Sequence, residues 1–373
     1  MIEDLIAVLE THPRLPYVAA VKEDVAVGLA AGAWLAGKRP ALLMQNSGLG
    51  TCLNALASLS LMYGLPALVV VTWRGHGGKD APEHVLMGEI SPRLLELLGL
   101  PHRVISTDSL EADLSWAAST MNELMQPVAL LVPPGVVETG RTTTEDGGGQ
   151  AGGAQGSGAS GVMSHRPLSA SSAPADAIPS RERLHPQMSR MAALGVALKQ
   201  IGREPVVHAN GYICRESFSI SDRPQSFYMI GSMGLAPAIG LGIALASPST
   251  TPVIFDGDGN LLMNLGILAQ VGAAQPRRFV HCVFDNEAYG STGNQRSPSR
   301  DVCLDRLAAA AGYRSSVAVT APGELEAAFR AALATEGPQF ILAKVTREEA
   351  GVPRIPYTPH ELRDRFRAAL IAG

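Results

Sequence analysis

The stretch that decides the fold reads TPVIFDGDGNLLMNLGILAQVGAAQPRRFVHCVFDNEAYG, residues 251–290. Two apolar runs, PVIF and FVHCVF, flank a helical pattern in LGILAQVGAA, and each run breaks into Asp, Asn and Gly at its carboxyl end. Strand, helix and strand, with both strands apolar throughout, make the parallel unit of an α/β protein. Gly257-Asp258-Gly259 closes the first strand, and after 26 intervening residues Asn286 stands at the end of the second. The two strands therefore deliver Asp258 and Asn286 side by side, and Gly259 lets backbone approach a phosphate closely. One carboxylate, one amide oxygen and a loop carbonyl, completed by phosphate oxygens and water, suit Mg²⁺. Short Gly/Asp turns are common without any ligand. The spacing to Asn286 in its strand context is what gives this one meaning.

The same alternation extends outward in both directions. Before this unit come a helix near residues 186–201, the strand PVVHA, then FYMIG and PAIGLGIALA; after it come helices in DRLAAAAGY and GELEAAFRAALAT and the strands SSVAV and QFILAKV. The amino-terminal part repeats the logic with PYVAAV, EDVAVGLAAGAWLAG, PALLMQ, TCLNALASLSLMYG, PALVVVTW, PRLLELLG, HRVIS, an amphipathic stretch from Leu110 to Met125, and PVALLVP. Between the two parts, residues 142–180 carry eight glycines from Gly147 to Gly161 and almost no aliphatic residues, the composition of a flexible linker. The expected architecture is α/β: two doubly wound parallel-sheet domains, residues 1–141 and 181–373, joined by that linker. Ligands in such sheets lie beyond the carboxyl ends of the strands. The polar clusters QNSGLG, WRGHGGKD, DGDGN and DNEAYGSTGNQ all follow strands.

Bulk composition narrows the function classes. The chain has 373 residues, 46% hydrophobic and 17% charged, which is an ordinary soluble composition. A net charge of -4 leaves no global basic field for nucleic acid or an anionic membrane. Cys52, Cys214, Cys282 and Cys303 lie far apart without CxxC spacing, which disfavours structural zinc and a disulfide framework and fits a reducing cytoplasm. MIEDLIAVLE carries acids where a secretory signal would carry Lys or Arg. The most apolar stretch, Leu56 to Trp73, is cut by Gly64 and Pro66 and reads as a helix, a turn and a buried strand.

GDG-x26-N resembles the thiamine diphosphate motif, here with Asp285-Asn286 where many members have two asparagines. The resemblance implies the thiamine diphosphate-binding fold, with a pyrimidine-binding first domain and a diphosphate-binding second domain. It implies Mg²⁺ held by Asp258, Asn286 and the carbonyl of Ala288, and cofactor contacts from Gly257, Gly259, Asn260, Gly231, Ser232 and Gln45. It also implies that Glu23, in KEDVAVGLAAG with Gly32 nine residues later, shares a proton with the aminopyrimidine ring. Read alone, Glu23 is a favourable acid at a helix amino terminus. Met233 in MIGSMGLA falls where such enzymes place an apolar wedge under the cofactor; read alone, it is a core gap filler.

Closer matches are MQNSGLG, NALASL, WRG, KDAPEH and MGEI in the first part and FYMIGSMGLA, GDGNLLMNLG and YGSTGNQ in the second. These resemble the sulfopyruvate and phosphonopyruvate decarboxylases. The resemblance implies nonoxidative decarboxylation of a 3-anionic 2-oxo acid, in a homodimer or higher oligomer whose cofactor usually lies between two subunits. Arg74, His76, Lys79, His84, Arg215 and Arg296 fall in post-strand segments and could supply donors to the anion, although each alone reads as a solvated surface charge. Arg74 and Arg215 lie within motifs and are the substrate candidates, together with Asn46 and Ser47. His84 is the candidate for proton transfer. Three other readings stay open: a carboligase with the same motifs, a noncatalytic thiamine-binding paralogue, and a nicotinamide dehydrogenase, the last disfavoured because QNSGLG lacks a third glycine.

Overall fold

In a computed structural model, which describes residues 3–137 and 184–372, the apolar runs of both parts form parallel sheets. The 142–180 segment read as a linker lies outside the described residues. The first part contributes β1 (Ala41–Gln45), β2 (Leu68–Thr72), β3 (His102–Val104) and β4 (Val128–Val132), ordered β1-β2-β4-β3 with every pairing parallel. Around them lie α1 (Glu3–Glu10), α2 (Glu23–Leu35), α3 (Asn46–Ala55), α4 (Pro82–Leu97) and α5 (Leu110–Leu124). All five positions of β4 are buried, which is why VALLV reads as an unbroken apolar run.

The second part carries β5 (Val206–His208), β6 (Ser226–Tyr228), β7 (Val253–Gly257) and β8 (Arg278–Asp285). A short antiparallel ribbon, β9 (Ala288–Tyr289) with β10 (Gln295–Arg296), precedes β11 (Ser315–Val319) and β12 (Gly337–Lys344). The six-stranded sheet runs β11-β12-β8-β7-β5-β6, again wholly parallel. Its helices are α6 (Arg190–Gln200), α7 (Tyr212–Ile220), α8 (Ala236–Ala246), α9 (Asp258–Met263), α10 (Ile267–Ala274), α11 (Leu304–Ala311), α12 (Pro322–Ala334) and α13 (Pro359–Ala372). Gly257 of β7 pairs with Phe284 of β8, so Asp258 and Asn286 leave the sheet from adjacent strand ends.

The larger of two apolar clusters runs through both parts, and α2 against α8 is its main seam; the smaller lies between α5 and β4. Both helices are rich in small residues, AVGLAAG and APAIGLGIALA, and they approach until backbone meets backbone. A Cβ on Gly32 would lie 2.0 Å from the Ile239 carbonyl oxygen, and one on Gly242 would lie 2.2 Å from that of Leu29. Farther along the chain, the buried Arg363 of α13 donates to the carbonyls of Tyr63 and Gly64, both at 3.0 Å, and ties the carboxyl-terminal helix to the first part.

Two segments differ from expectation. PYVAAV forms no strand; Val21 N–H donates to the Gln270 side-chain oxygen at 2.8 Å and the Gln270 amide donates to Ala19 O at 3.0 Å. A buried side chain of the second part thus takes the backbone groups that a ladder would have used. QNSGLG follows β1 as expected, but it opens α3 at Asn46 without an intervening loop. Among the described residues no helix is long and apolar enough to cross a membrane.

Candidate active site

At the carboxyl ends of β5, β7 and β8 a pocket is lined by Arg190, Asn210 to Ile213, Met233, Gly257 to Asn260, Asn286 and Ala288 to Ser291. Asp258, Asn260 and Asn286 are all buried, as the start of α9 and the end of β8 require. Asp285 is buried beside them. Ser299 Oγ lies between the two carboxylates, 3.1 Å from Asp258 Oδ2 and 2.7 Å from Asp285 Oδ1, and its one proton can serve either. Burial and the neighbouring charge of Asp285 push the Asp258 carboxyl up to about 6. An adjacent cation would relieve that strain on the ionised form. The loop itself is held from below: Asp256 accepts from the Asn260 amide at 2.5 Å and from His281 at 2.9 Å, and Asn260 Oδ1 accepts from Gly234 N–H at 2.6 Å. Met233 lies on the pocket wall next to Gly259, at whose Cβ position its Cε would stand 3.5 Å away.

A second cluster gathers in the first part, where β1 runs into α3 and β2 into α4. The Glu23 carboxylate accepts from Thr51 Oγ1 at 2.9 Å and rests against Gly48, where a Cβ would lie 2.6 Å from Oε1. Any larger residue at position 48 would displace the carboxylate. Gln45 bridges Ser47 at 3.1 Å and His84 Nδ1 at 3.5 Å, so those three predicted residues are neighbours. Among the described residues, no side chain of this cluster lines the pocket around Asp258.

Residues 201–343 match the family described as thiamine pyrophosphate enzyme, C-terminal TPP binding domain. Over 366 residues the chain is 38% identical to a phosphonopyruvate decarboxylase of Streptomyces viridochromogenes, covering 96% of this chain and 86% of that one. It is 32% identical over 358 residues to a sulfopyruvate decarboxylase of Methanosarcina acetivorans, covering 96% and 89%. The chain belongs to this family of decarboxylases. The family is one of carboxy-lyases, and its cofactor is thiamine diphosphate. In Methanocaldococcus jannaschii a sulfopyruvate decarboxylase has separate alpha and beta subunits, which are 34% and 35% identical to 35% and 46% of this chain and are covered over 78% and 92% of their own lengths. The fold agrees: a benzoylformate decarboxylase from Polynucleobacter necessarius superposes with a TM-score of 0.64 at 13% identity, covering 91% of this chain and 93% of that one.

Within this decarboxylase fold several predicted residues stand elsewhere than expected. Arg74 is committed to Asp80 by two hydrogen bonds of 2.6 Å, and the guanidinium holds that carboxyl well below the usual range. Its charge is thereby matched inside its own loop, with Nε and Nη2 both engaged by Asp80. Asn46 is wholly buried and its amide is consumed by protein: Nδ2 donates to Arg74 O and Ser91 Oγ, and Oδ1 accepts from Arg74 N–H. It clamps the loop, with both amide hydrogens taken by protein. Gly231 and Ser232 do not line the pocket; Ser232 Oγ lies 2.7 Å from Ser58 Oγ of the first part, and a Cβ on Gly231 would lie 2.9 Å from Ser58 O. They brace the Met233 loop against the neighbouring domain. Of the remaining cations, Arg296 pairs with Asp301, and His76 packs its ring on Trp73. Arg215 donates to Gly211 O at 3.1 Å and stacks on Tyr212, which does line the pocket. Arg190 and Tyr212 were not singled out from the sequence, although both flank the CRE motif in space and NGYICRE follows a strand as site loops do.

Proposed function

We propose that this chain decarboxylates a 3-anionic 2-oxo acid, sulfopyruvate or phosphonopyruvate, with thiamine diphosphate and Mg²⁺. The observation that carries the proposal is the pocket itself: a buried carboxylate raised by its own surroundings, an adjacent amide and a glycine-bordered helix start, in a chain of this decarboxylase family. Asp258 and Asn286, with the carbonyl of Ala288, would hold the metal; Gly257, Gly259 and Asn260 would face the diphosphate; Met233 would support the ring system. When bound, thiamine diphosphate supplies the nucleophilic carbon and the electron sink for loss of CO₂.

Glu23, fixed by Thr51 and Gly48, would hold the proton at the pyrimidine. His84, with Gln45 and Ser47 beside it, would move a proton at the substrate carbon. Glu23 and its neighbours are absent from the Asp258 pocket of their own chain, so we propose a site completed by the first part of a second copy, residues 1–141 serving the pyrimidine and 181–373 the diphosphate. Arg215 is the substrate-anion donor we carry forward. Steady-state rates with sulfopyruvate, phosphonopyruvate and pyruvate, in the presence of thiamine diphosphate and Mg²⁺ and with an aldehyde readout, test the reading. A preference for pyruvate would overturn the substrate class.

A further inference from the structure

The pocket wall carries a cation that the family motifs do not account for. Arg190 opens α6 just after its Ser189 cap, and it is only 5% exposed. A buried guanidinium is strongly destabilising unless it is paired. Glu216, itself wholly buried, supplies the pair: Nε donates to Oε2 at 3.0 Å and Nη2 to Oε1 at 2.7 Å. This two-pronged contact uses one edge of the guanidinium. Among the described residues, Nη1 has no hydrogen-bond partner, and Cζ lies 5.1 Å from the centre of the Tyr212 ring. Arg190 and Tyr212 line the same pocket as Asp258, Asn260 and Asn286. Arg215 covers the Tyr212 ring as well, at 4.5 Å.

For stability alone such a pair is a poor choice, because apolar side chains of equal volume do as well or better. Its distinct property is direction. Glu216 locks a planar donor group in one orientation, and the edge left over is preorganised for an anion of phosphate geometry. The pocket's other described lining residues offer carboxylate, amide, hydroxyl and backbone groups but no second cation, and a metal at Asp258 and Asn286 would answer only part of the charge of a diphosphate.

We propose that Arg190, oriented by Glu216, recognises the terminal phosphate of the cofactor, so that this pair makes the pocket select a diphosphate over a monophosphate. The inference rests on the reading of the pocket as the thiamine diphosphate site. Arg190 is the contact and Glu216 its positioning residue.

The test is binding to the cofactor-free protein in Mg²⁺, followed by tryptophan fluorescence and calorimetry, with thiamine diphosphate and thiamine monophosphate as probes. Arg190→Lys keeps the charge opposite Glu216 but loses the planar fork, and it should weaken diphosphate binding about tenfold or more while leaving the monophosphate little changed. Removing Arg190 alone would strand a buried carboxylate, so the second variant is Arg190→Met with Glu216→Leu, its folding checked by thermal melting. It should lose the same discrimination. Wild-type discrimination in either folded variant overturns the proposal. So does unchanged cofactor binding accompanied by a higher KM for sulfopyruvate or phosphonopyruvate relative to pyruvate, which would assign Arg190 to the substrate's anion. Failure of the wild type to bind thiamine diphosphate would sink the underlying reading, a separate result seen before any variant is made.

Discussion

Asp285 is where the metal loop departs from the two-asparagine pattern, and Lys344 on the next strand shows what that departure entails. The ammonium lies 2.8 Å from Asp285 and 2.7 Å from Glu287, with Lys344 and Asp285 both buried. The carboxylate next to Asp258 is thus matched by a cation from β12. Lys344→Met should leave the buried Asp285 charge without its cation and destabilise the protein by about 3–5 kcal/mol, whereas the double change with Asp285→Asn should recover most of the loss. Urea unfolding of the four members of the cycle measures this, and additive losses would show that the two residues are not coupled. The spacing of GDG to Asn286 was legible because it follows the chain. The pairing of Asp285 with a lysine 59 residues away was not, since it depends on which strands become neighbours. His208 is a second residue hidden from sequence reading. It is fully enclosed against Tyr228, neither ring nitrogen has a hydrogen-bond partner among the described residues, and burial pushes it down to about 3 from 6.5. The folded protein keeps it neutral while the unfolded chain takes up a proton below the ordinary value. The stability it permits is therefore full above about pH 6.5 and is lost as pH falls toward about 3. His208→Phe should flatten the fall of the urea midpoint over that window; an unchanged slope would place the acid lability in other groups.

At the scale of elements, periodicity spoke clearly for strands and less clearly for what joins them. LVVVT, VALLV and RFVHCVFD are strands because parallel sheets covered on both faces favour apolar runs, with polar members such as His281 and Asp285 held by buried partners. PYVAAV has the same composition and is not a strand, because Gln270 from the other part satisfies its backbone. α13 went unread, since PHELRDRFRAALIA is polar on most of its surface and its anchor, Arg363, binds carbonyls 299 and 300 residues away. The seam between α2 and α8 is legible only in part: small residues announce close packing, but not their partner. There the spacing from Glu23 to Gly32 acquires a physical reason, for the helix that presents the carboxylate is also the one pressed on Ile239. Gly32→Ala should push α2 away from α8 and lower stability by about 1–3 kcal/mol. Glu23 would move with its helix, so pyrimidine-dependent turnover should fall further than the lost stability explains. Denaturant melts and kcat, measured together well below the melting temperature, check this. A variant with full activity and wild-type stability would mean the helices have room that the packing denies.

For the whole molecule the question is how the two clusters meet. Glu23 stands in the first part and Asp258 in the second, and within one chain the pocket around Asp258 is lined by second-part residues among those described. The α2–α8 seam and the Ser58–Ser232 contact hold the two parts of a chain firmly together, so closing Glu23 over its own pocket would mean breaking a large buried interface. A second copy supplying its first part requires no such rupture, and a twofold arrangement would complete two sites at once. This makes a mixing experiment decisive. Glu23→Gln should lower turnover by about a hundredfold or more by removing the proton-holding carboxylate. Asp258→Ala should abolish metal-dependent cofactor retention. Each variant alone should be nearly inactive. Co-expressed with different tags, they should assemble hybrids in which one site combines the intact first part of the Asp258→Ala chain with the intact second part of the Glu23→Gln chain. The other site in each hybrid carries both lesions. Random assembly makes half the dimers hybrid and half of their sites sound, so activity should return to about a quarter of wild type. Purification through both tags should enrich it to about half. If each chain built its site alone, every site in the mixture would carry one lesion and no activity would return.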